Sequence, residues 1–142
     1  NLIDSYKIYR HLKANNNELK LVIIGDIDTI PFSIKNDPQV EIKGIVSHEK
    51  IINILSSAKF YINTSKVENS WNAASEGVFL AKESFVSKIP PHCELLQNST
   101  VEFLNDLGTF NPIMHVSRDN ISSDKLKTWD EIIVNMSEYI KK

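Results

Sequence analysis

Cysteine is scarce in this sequence, and long apolar runs are absent. Cys93 is the single cysteine among the 142 residues, so no internal disulfide can form. No pair of cysteine or histidine residues has the spacing of a zinc site, which predicts a fold without a structural metal. A lone thiol is typical of a reducing compartment, so we expect a cytoplasmic location. No apolar stretch approaches the ~18 residues that a membrane-spanning helix needs, so we expect no transmembrane segment.

Basic residues are not in excess either. The chain has 16 Lys and Arg against 18 Asp and Glu, a net charge of −2, and no basic run is interleaved with aromatic residues. A nucleic-acid-binding surface needs such a basic patch, so we expect no nucleic-acid partner. A composition of 42% hydrophobic and 24% charged residues is typical of a globular domain. We therefore predict a single domain over residues 1–142.

What the sequence does contain is an alternation of helical and extended patterns. Apolar residues at helical spacing predict an amphipathic helix over residues 2–12 that ends near the three amides at 15–17. The run LKLVIIGD at 19–26 predicts a strand covered on both faces, as in a parallel sheet. Residues 27–38 contain two prolines and predict a loop. The stripe of the first helix is predicted to consist of Leu2, Ile3, Tyr6, Tyr9 and Leu12.

The second half of the pattern continues the alternation. VEIKGIV at 40–46 predicts a strand, and Ser47 is a suitable N-cap for a helix over residues 48–58. KFYINTS at 59–65 predicts a third strand, which a buried helix over residues 72–82 follows. The remaining predicted elements are a strand over ESFVSK, stopped by two prolines, and a helix at residues 129–140. This order predicts an α/β fold with a Rossmann-like, doubly wound parallel sheet, in which ligands bind at the carboxyl ends of the strands.

Two carboxylates flank the start of the predicted helix at residue 72. Glu68 lies in the preceding loop and Glu76 in the first turns of the helix, both near the carboxyl end of the third strand. The helix start, from Ser70 to Ala73, offers unpaired N–H groups and the positive end of a macrodipole, which suit a phosphate. Carboxylates on both sides of such an anion are good acceptors for hydroxyl groups. A molecule with a diphosphate between two sets of hydroxyls is a nucleotide sugar.

The residues alone leave other interpretations open. Two glutamates at this spacing occur by chance, and a glutamate in a first turn commonly complements the helix dipole. Trp71 could stack on a sugar ring or anchor its loop, and His92 could reach a phosphate or sugar or serve a turn. Asp26 and Asp28 form a D-x-D pattern of the kind that binds metals, although solvated loop acids are the default interpretation.

The sequence also resembles a known family. VENSWNAASEGVFLAKESFVSKIPPHCELL, from Val67 to Leu96, is similar to the glutamate-x7-glutamate region of group 1 glycosyltransferases. Those enzymes are retaining and have the GT-B architecture of two Rossmann domains. Upstream, KLVIIGD and VEIKGIVSHEKIINILSSAKFYINTS resemble the family's preceding motifs in the same order. The resemblance covers Asn1 to about Leu96.

The resemblance implies roles for individual residues. Glu68 matches the first glutamate, the catalytic residue beside the donor sugar, and Glu76 matches the second, which accepts from the ribose hydroxyls. Gly44 and Val46 match the segment that lies against the base. The loop whose backbone amides face the sugar and the diphosphate is matched by Asn69, Ser70, Trp71 and Asn72. His92 is expected near the same substrate, and no cofactor or metal is implied.

The resemblance also implies what the whole enzyme contains. The chain corresponds to the C-terminal, donor-binding domain, without its first strand and without the N-terminal domain that holds a glycan or lipid-linked acceptor. We therefore expect a UDP- or GDP-sugar as donor and a role in polysaccharide or lipid-linked glycan synthesis, at the inner face of the membrane through the rest of the chain. The family's Gly-Phe-Gly is replaced by Asn69-Ser70-Trp71. The alternative is therefore a non-catalytic module that binds a glycan or a partner subunit.

Overall fold

The structure, a computed structural model, describes residues 1–122 of the chain. Within these residues the helices are α1 (Leu2–Asn15), α2 (Phe32–Lys35), α3 (His48–Ser57), α4 (Asn72–Leu80) and α5 (Pro90–Leu95). The strands are β1 (Leu21–Ile23), β2 (Val40–Ile42), β3 (Phe60–Asn63), β4 (Glu83–Ser87), β5 (Glu102–Leu104) and β6 (Ile113–Ser117). Short 3-10 helices cover Ile27–Thr29 and Arg118–Asn120.

The described strands form two small sheets. β1 and β2 pair in parallel, with Leu21 opposite Val40 and Ile23 opposite Ile42. The second sheet has the order β3-β4-β6-β5; β3 and β4 are parallel, whereas β6 is antiparallel to both of its neighbours. The fold is therefore α/β, with one parallel pair and one mixed sheet. The antiparallel strands depart from the all-parallel sheet that the apolar runs predict.

The hydrophobic core lies on the mixed sheet. Its main cluster joins α4, β4, α5 and β6, and Cys93 packs against it. The fully or almost fully buried members of this cluster are Ala74, Val78, Val86, Leu95, Leu96, Met114 and Val116. A second cluster on the other side contains Ile8, Phe85 and Ile113, and so attaches α1 to the sheet. Since α4 packs on β3 and β4, the loop before α4 is held at the carboxyl end of β3.

Several helices and strands differ from the sequence predictions. The buried residues of α1 are Asp4, Ile8 and Tyr9, whereas Ile3 is 58% exposed, so the predicted stripe is rotated. The two prolines do not simply stop β4, since they occupy the first turn of α5, where a missing N–H costs nothing. The predicted loop at 27–38 contains short helices, and β5 and β6 were not predicted at all. The helix predicted at 129–140 lies outside the described residues.

The length and hydropathy of the helices bear on whether they could cross a membrane. Among residues 1–122, no helix is long and apolar enough to cross a membrane.

Candidate functional site

The predicted site lies where β3 ends and α4 begins. β3 ends at Asn63, the loop that follows contains Glu68, and Glu76 is the fifth residue of α4. α4 lies close to β3 because Gly77 has no side chain: a Cβ atom there would overlap the ring of Tyr61. This contact holds the start of α4 beside the carboxyl end of β3, the edge at which α/β proteins bind ligands.

Glu68 is held by two polar side chains. Asn63 Nδ2 donates to Oε1 of Glu68 at 3.0 Å, and His92 Nε2 lies 3.4 Å from Oε2. The Glu68 side chain is only 16% exposed, so its carboxylate is fixed and partly shielded from water. A hydrogen bond from the strand-end amide of Asn63 therefore orients this carboxylate, and the buried His92 ring lies against its other oxygen.

His92 is completely buried beneath Glu68. Its Nδ1 lies 2.8 Å from the carbonyl oxygen of Ser87, which can only accept, so Nδ1 carries a hydrogen. Nε2 forms no hydrogen bond within the described residues, although it faces Glu68. His92 therefore touches a predicted site residue rather than solvent, so any effect of His92 on a ligand would pass through Glu68.

Glu76 is paired with a histidine of the neighbouring helix. Its Oε1 lies 2.8 Å from Nε2 of His48, the first residue of α3. Both side chains are accessible, so the pair is open to a ligand. Since Ser47 caps α3 by accepting from the Lys50 N–H, the start of this helix is fixed next to Glu76.

Tyr61 lies between the two glutamates. Its hydroxyl accepts from Asn63 Nδ2 at 3.2 Å and donates to the Ala73 carbonyl at 3.4 Å. Burial raises the pKa of Tyr61 to about 12; the Asn63 donor opposes this rise, and the negative charges of Glu68 and Glu76 add to it. Both carboxylates thus lie within electrostatic reach of one hydroxyl.

The loop before α4 leaves the helix start open. Asn69, Ser70 and Asn72 are exposed, and Trp71 is the N-cap residue without a side-chain hydrogen bond to the helix. None of these residues has a positive φ, so the loop does not need the conformational freedom of glycine. Trp71 packs against the main core cluster, which favours its interpretation as an anchor. The first N–H groups of α4 remain available to an anion.

The segment predicted to contact a base leads into α3, whose first residue contacts Glu76. Gly44 has a φ of +64°, and its carbonyl accepts from the Gly25 N–H at 2.9 Å. Val46 is half-buried two residues before the start of α3. The same short stretch, which contains Gly44 and Val46, therefore connects β2 to His48.

The Asp26–Asp28 pair and a further histidine, His115, lie in surroundings of their own. Asp26 Oδ1 accepts from the Asp28 N–H and so caps a 3-10 helix, and both residues are exposed. His115 lies between Glu83 and Glu102 and stacks on Phe85, away from the carboxyl end of β3. Within residues 1–122, no group of three or more potential ligands could hold a metal ion.

Sequence reasoning missed Asn63, Tyr61 and His48 as members of the site. Asn63 is a polar residue at the carboxyl end of an apolar strand, a signal that could have found it. Tyr61 and His48 carry no such signal, because their roles depend on how α4 packs against β3 and α3. Comparison of the chain with protein-family models, with curated proteins and with solved structures gives no match.

Proposed function

We propose that this chain is the nucleotide-sugar-binding, C-terminal domain of a retaining group 1 glycosyltransferase, with a Rossmann-like fold and the GT-B architecture. The observation that carries the proposal is that Glu68, in the loop before the uncapped start of α4, and Glu76, within α4, both act electrostatically on the Tyr61 hydroxyl. The sequence resemblance to the glutamate-x7-glutamate region supports the same assignment. The product of the proposed enzyme would be a polysaccharide or a lipid-linked glycan.

The proposed donor is a UDP- or GDP-sugar. Its diphosphate would accept hydrogen bonds from the first N–H groups of α4, where the helix dipole favours negative charge. Glu76 would accept hydrogen bonds from the ribose hydroxyls, while its contact with His48 would fix the orientation of the carboxylate. The base would lie against Gly44 and Val46. Exposed Asn69, Ser70 and Asn72 would face the sugar and the diphosphate, with Trp71 anchoring their loop.

Glu68 is the proposed catalytic residue. Its carboxylate is held by Asn63 and His92, so it needs little reorganisation when charge develops on the sugar in the transition state. His92 is a positioning residue, because it is buried and touches Glu68. The acceptor would be held by an N-terminal domain, and no metal or cofactor is part of the proposal.

An NMR titration of the 142-residue chain tests this proposal. UDP-glucose and GDP-mannose serve as probes, and the expected result is saturable shifts at the amides of Asn72, Ala73, Ala74 and Glu76 with a millimolar Kd, or about −4 kcal/mol. A complete absence of shifts at these amides with both probes, with the fold intact by circular dichroism, would contradict the proposal.

Glu76→Gln removes the negative charge of this side chain while keeping its shape, and so tests the carboxylate without changing the fold. A charged acceptor contributes more to each hydroxyl hydrogen bond than a neutral amide does, so we expect at least tenfold weaker binding of the same probes, about 1.4 kcal/mol. The matched control is Glu83→Gln, which also removes a half-exposed glutamate paired with a histidine, at the opposite end of the strands. Equal effects of the two substitutions would contradict the ribose assignment.

A second candidate is a non-catalytic module that binds a glycan or a partner subunit. The observation that favours it is Val67, which is 83% exposed directly beside Glu68, because such exposure suits a protein contact. Shifts confined to the surface around Val67 when a glycan is added, without any response to nucleotide sugars, would favour this candidate.

A further inference from the structure

Two exposed phenylalanine rings each lie against the ammonium group of a lysine. Lys66 Nζ is 4.5 Å from the centroid of the Phe110 ring, and Lys88 Nζ is 4.9 Å from the centroid of the Phe103 ring. Phe110 is 70% exposed and Phe103 is 49% exposed, so the ammonium groups leave much of each ring open to solvent. An exposed ring next to a cation suits a ligand that is apolar on one face and carries a negative charge.

Both pairs lie at one edge of the mixed sheet. Phe103 lies in β5, and Phe110 lies in the loop at residues 105–112 that connects β5 to β6. Lys66 and Lys88 follow the carboxyl ends of β3 and β4, which are adjacent parallel strands. The four side chains therefore lie at the same edge of the sheet as the candidate site, and we call them the lysine–aromatic platform.

The loop that carries Phe110 is held in place by hydrogen bonds. The Phe110 N–H donates to Oδ2 of the buried Asp4 at 2.7 Å. Two residues further on, the Pro112 carbonyl accepts from the Lys88 N–H at 2.8 Å. The exposed ring is therefore presented by a backbone that is already ordered, so a ligand would lose little affinity to the ordering of this loop.

The two lysines of the platform have no carboxylate partner in the part of the chain that the structure describes. Within residues 1–122, neither Lys66 nor Lys88 forms an ion pair, whereas Lys7 of α1 pairs with Asp4 at 2.9 Å. Both lysines are exposed, so their charges are accessible to an anion. Two cations at one edge of the sheet thus suit a ligand with two separate negative groups.

The charges around the platform distinguish between classes of ligand. Asp106 is exposed in the same loop as Phe110, and Glu68 lies two residues after Lys66. Both carboxylates would repel a lipid surface of uniform negative charge, whereas a chain with separate anionic groups would meet the lysines alone. A nucleic acid needs a basic patch, and the net charge of the chain is −2. An acidic glycan fits the platform, because one face of a sugar ring carries apolar C–H groups and the negative groups are spaced along the glycan.

We propose that the lysine–aromatic platform is a binding site for an acidic glycan. The C–H faces of two sugar residues would lie on the rings of Phe110 and Phe103, and their carboxylate or phosphate groups would lie against Lys66 and Lys88. The choice of a glycan rests on the functions proposed above, whereas the requirement for negative charge rests on the two lysines. Since Lys66 lies two residues before Glu68, the glycan would pass beside the proposed catalytic carboxylate. The platform would be a glycan contact of this chain itself, in addition to an acceptor site in another domain.

NMR titration of the 142-residue chain with acidic and neutral sugars tests the proposal. One acidic probe is a tetrasaccharide of alternating glucuronate and N-acetylglucosamine, and the other is mannose 6-phosphate; the neutral control is a tetrasaccharide of N-acetylglucosamine. We expect saturable shifts of the ring protons of Phe110 and Phe103 with an acidic probe, and binding of the neutral control that is at least about threefold weaker. The acidic probe that binds identifies whether a carboxylate or a phosphate supplies the charge. Added salt should weaken the binding of that probe and leave the neutral control unchanged.

Matched variants separate the platform from the rest of the surface. Phe110→Ala and Lys66→Gln should each weaken the binding of the acidic probe about threefold, because each removes one exposed contact. Phe32→Ala is the control for the ring, since Phe32 is 81% exposed and lies outside the platform. Lys59→Gln is the control for the charge, since Lys59 Nζ also lies over a ring, that of Phe60, at the amino end of β3. Neither control should change the affinity, and circular dichroism checks that each variant is folded.

Three outcomes would overturn the proposal. One is the absence of shifts at both rings with both acidic probes, and another is an equal loss of affinity in the platform variants and in their controls. The third is binding of the chain to phosphatidylglycerol vesicles that Phe110→Ala abolishes, which would assign the platform to a lipid surface instead. The nucleotide-sugar titration is read at the amides of α4 and this one at the rings of the platform, so either proposal can fail without the other.

Discussion

Gly77 is the residue that allows α4 to lie against β3. A Cβ atom at this position would overlap the Tyr61 ring, and Tyr61 in turn contacts Asn63 and Ala73. The position of the helix that carries Glu76 therefore depends on the absence of one methyl group.

Gly77→Ala should destabilise the protein. Alanine favours a helix interior over glycine by about 1 kcal/mol, whereas overpacking costs about 1–3 kcal/mol, so we expect a net loss of about 1 kcal/mol in the free energy of unfolding. Urea unfolding followed by circular dichroism measures it. In a Tyr61→Ala background the ring is gone, and Gly77→Ala should then be neutral or stabilising; the same loss in both backgrounds would contradict the explanation.

Asp4 connects α1 to the loop before β6. It is buried and accepts from the Phe110 N–H at 2.7 Å, from Asn1 Nδ2 at 2.7 Å and from Lys7 Nζ at 2.9 Å. Burial alone would raise the pKa of Asp4, but the hydrogen bonds from Lys7, Phe110 and Asn1 outweigh it and lower the pKa from 3.8 to about 2. The folded state therefore favours the charged carboxylate.

This lowered pKa makes stability depend on pH in one direction. The folded-state pKa lies below the unfolded value, so the contribution is fully present above pH 3.8 and is lost as the pH falls towards 2. Asp4→Asn should cost about 2 kcal/mol at pH 7 and progressively less between pH 4 and pH 2, as measured by urea unfolding at each pH. Asp106→Asn, at an exposed position in the same loop, is the control and should change the free energy of unfolding at pH 7 by less than about 0.5 kcal/mol. A constant cost of Asp4→Asn from pH 7 to pH 2 would contradict the assignment.

At the scale of elements, the start of α4 is the feature on which the proposed anion binding depends. The first N–H groups of a helix have no partner within the helix, so proline is tolerated there, as Pro90 and Pro91 show in α5. Ala73→Pro should therefore remove one donor from the proposed diphosphate seat with little change in stability. We expect severalfold weaker binding of UDP-glucose and GDP-mannose in the NMR titration.

Ile3→Pro is the matched control for that substitution. It places proline at the same second position of α1, where Ile3 is exposed. Unchanged binding in Ala73→Pro, with both variants folded, would count against the helix start as the seat of the diphosphate.

The elements that sequence could predict share one property: a strong local pattern. The apolar run of β1, the cap and stripe of α3 and the β-forming residues of β3 each indicate their own structure, and all three are present. β6 was missed because its direction and its burial come from pairing with β4 and β5. The contact between Glu68 and His92 could not be predicted from a local pattern either, since it depends on how α5 packs under the loop before α4.

At the scale of the whole molecule, the two sheets should differ in stability. The buried clusters consist of residues from α1, α4, α5, β4 and β6, whereas neither β1 nor α3 has a fully buried residue. A two-stranded sheet is marginal without such a core. The half with β1, β2 and α3 should therefore open at a lower free energy than the mixed sheet.

Native-state hydrogen exchange in low urea measures this difference. We expect the Leu21 and Ile23 amides, which face β2, to exchange at least tenfold faster than those of Val86 and Met114. Coincident exchange of all four amides at the global unfolding free energy would contradict the division into two unequal halves.

The labelling rate of Cys93 can report on the packing of α5. It is the single thiol in the chain, and it packs on the core cluster between α5 and the mixed sheet. The thiolate attacks an electrophilic thiol reagent, and Cys93 is half-buried against this core, so its labelling accelerates when α5 separates from the core. His92 adjoins Cys93 on the same short helix and touches Glu68, so the labelling rate also reports on the contact that supports the proposed catalytic carboxylate. A proposed donor that binds only while α5 is packed on the core would slow the labelling of Cys93 in proportion to the occupancy of its site.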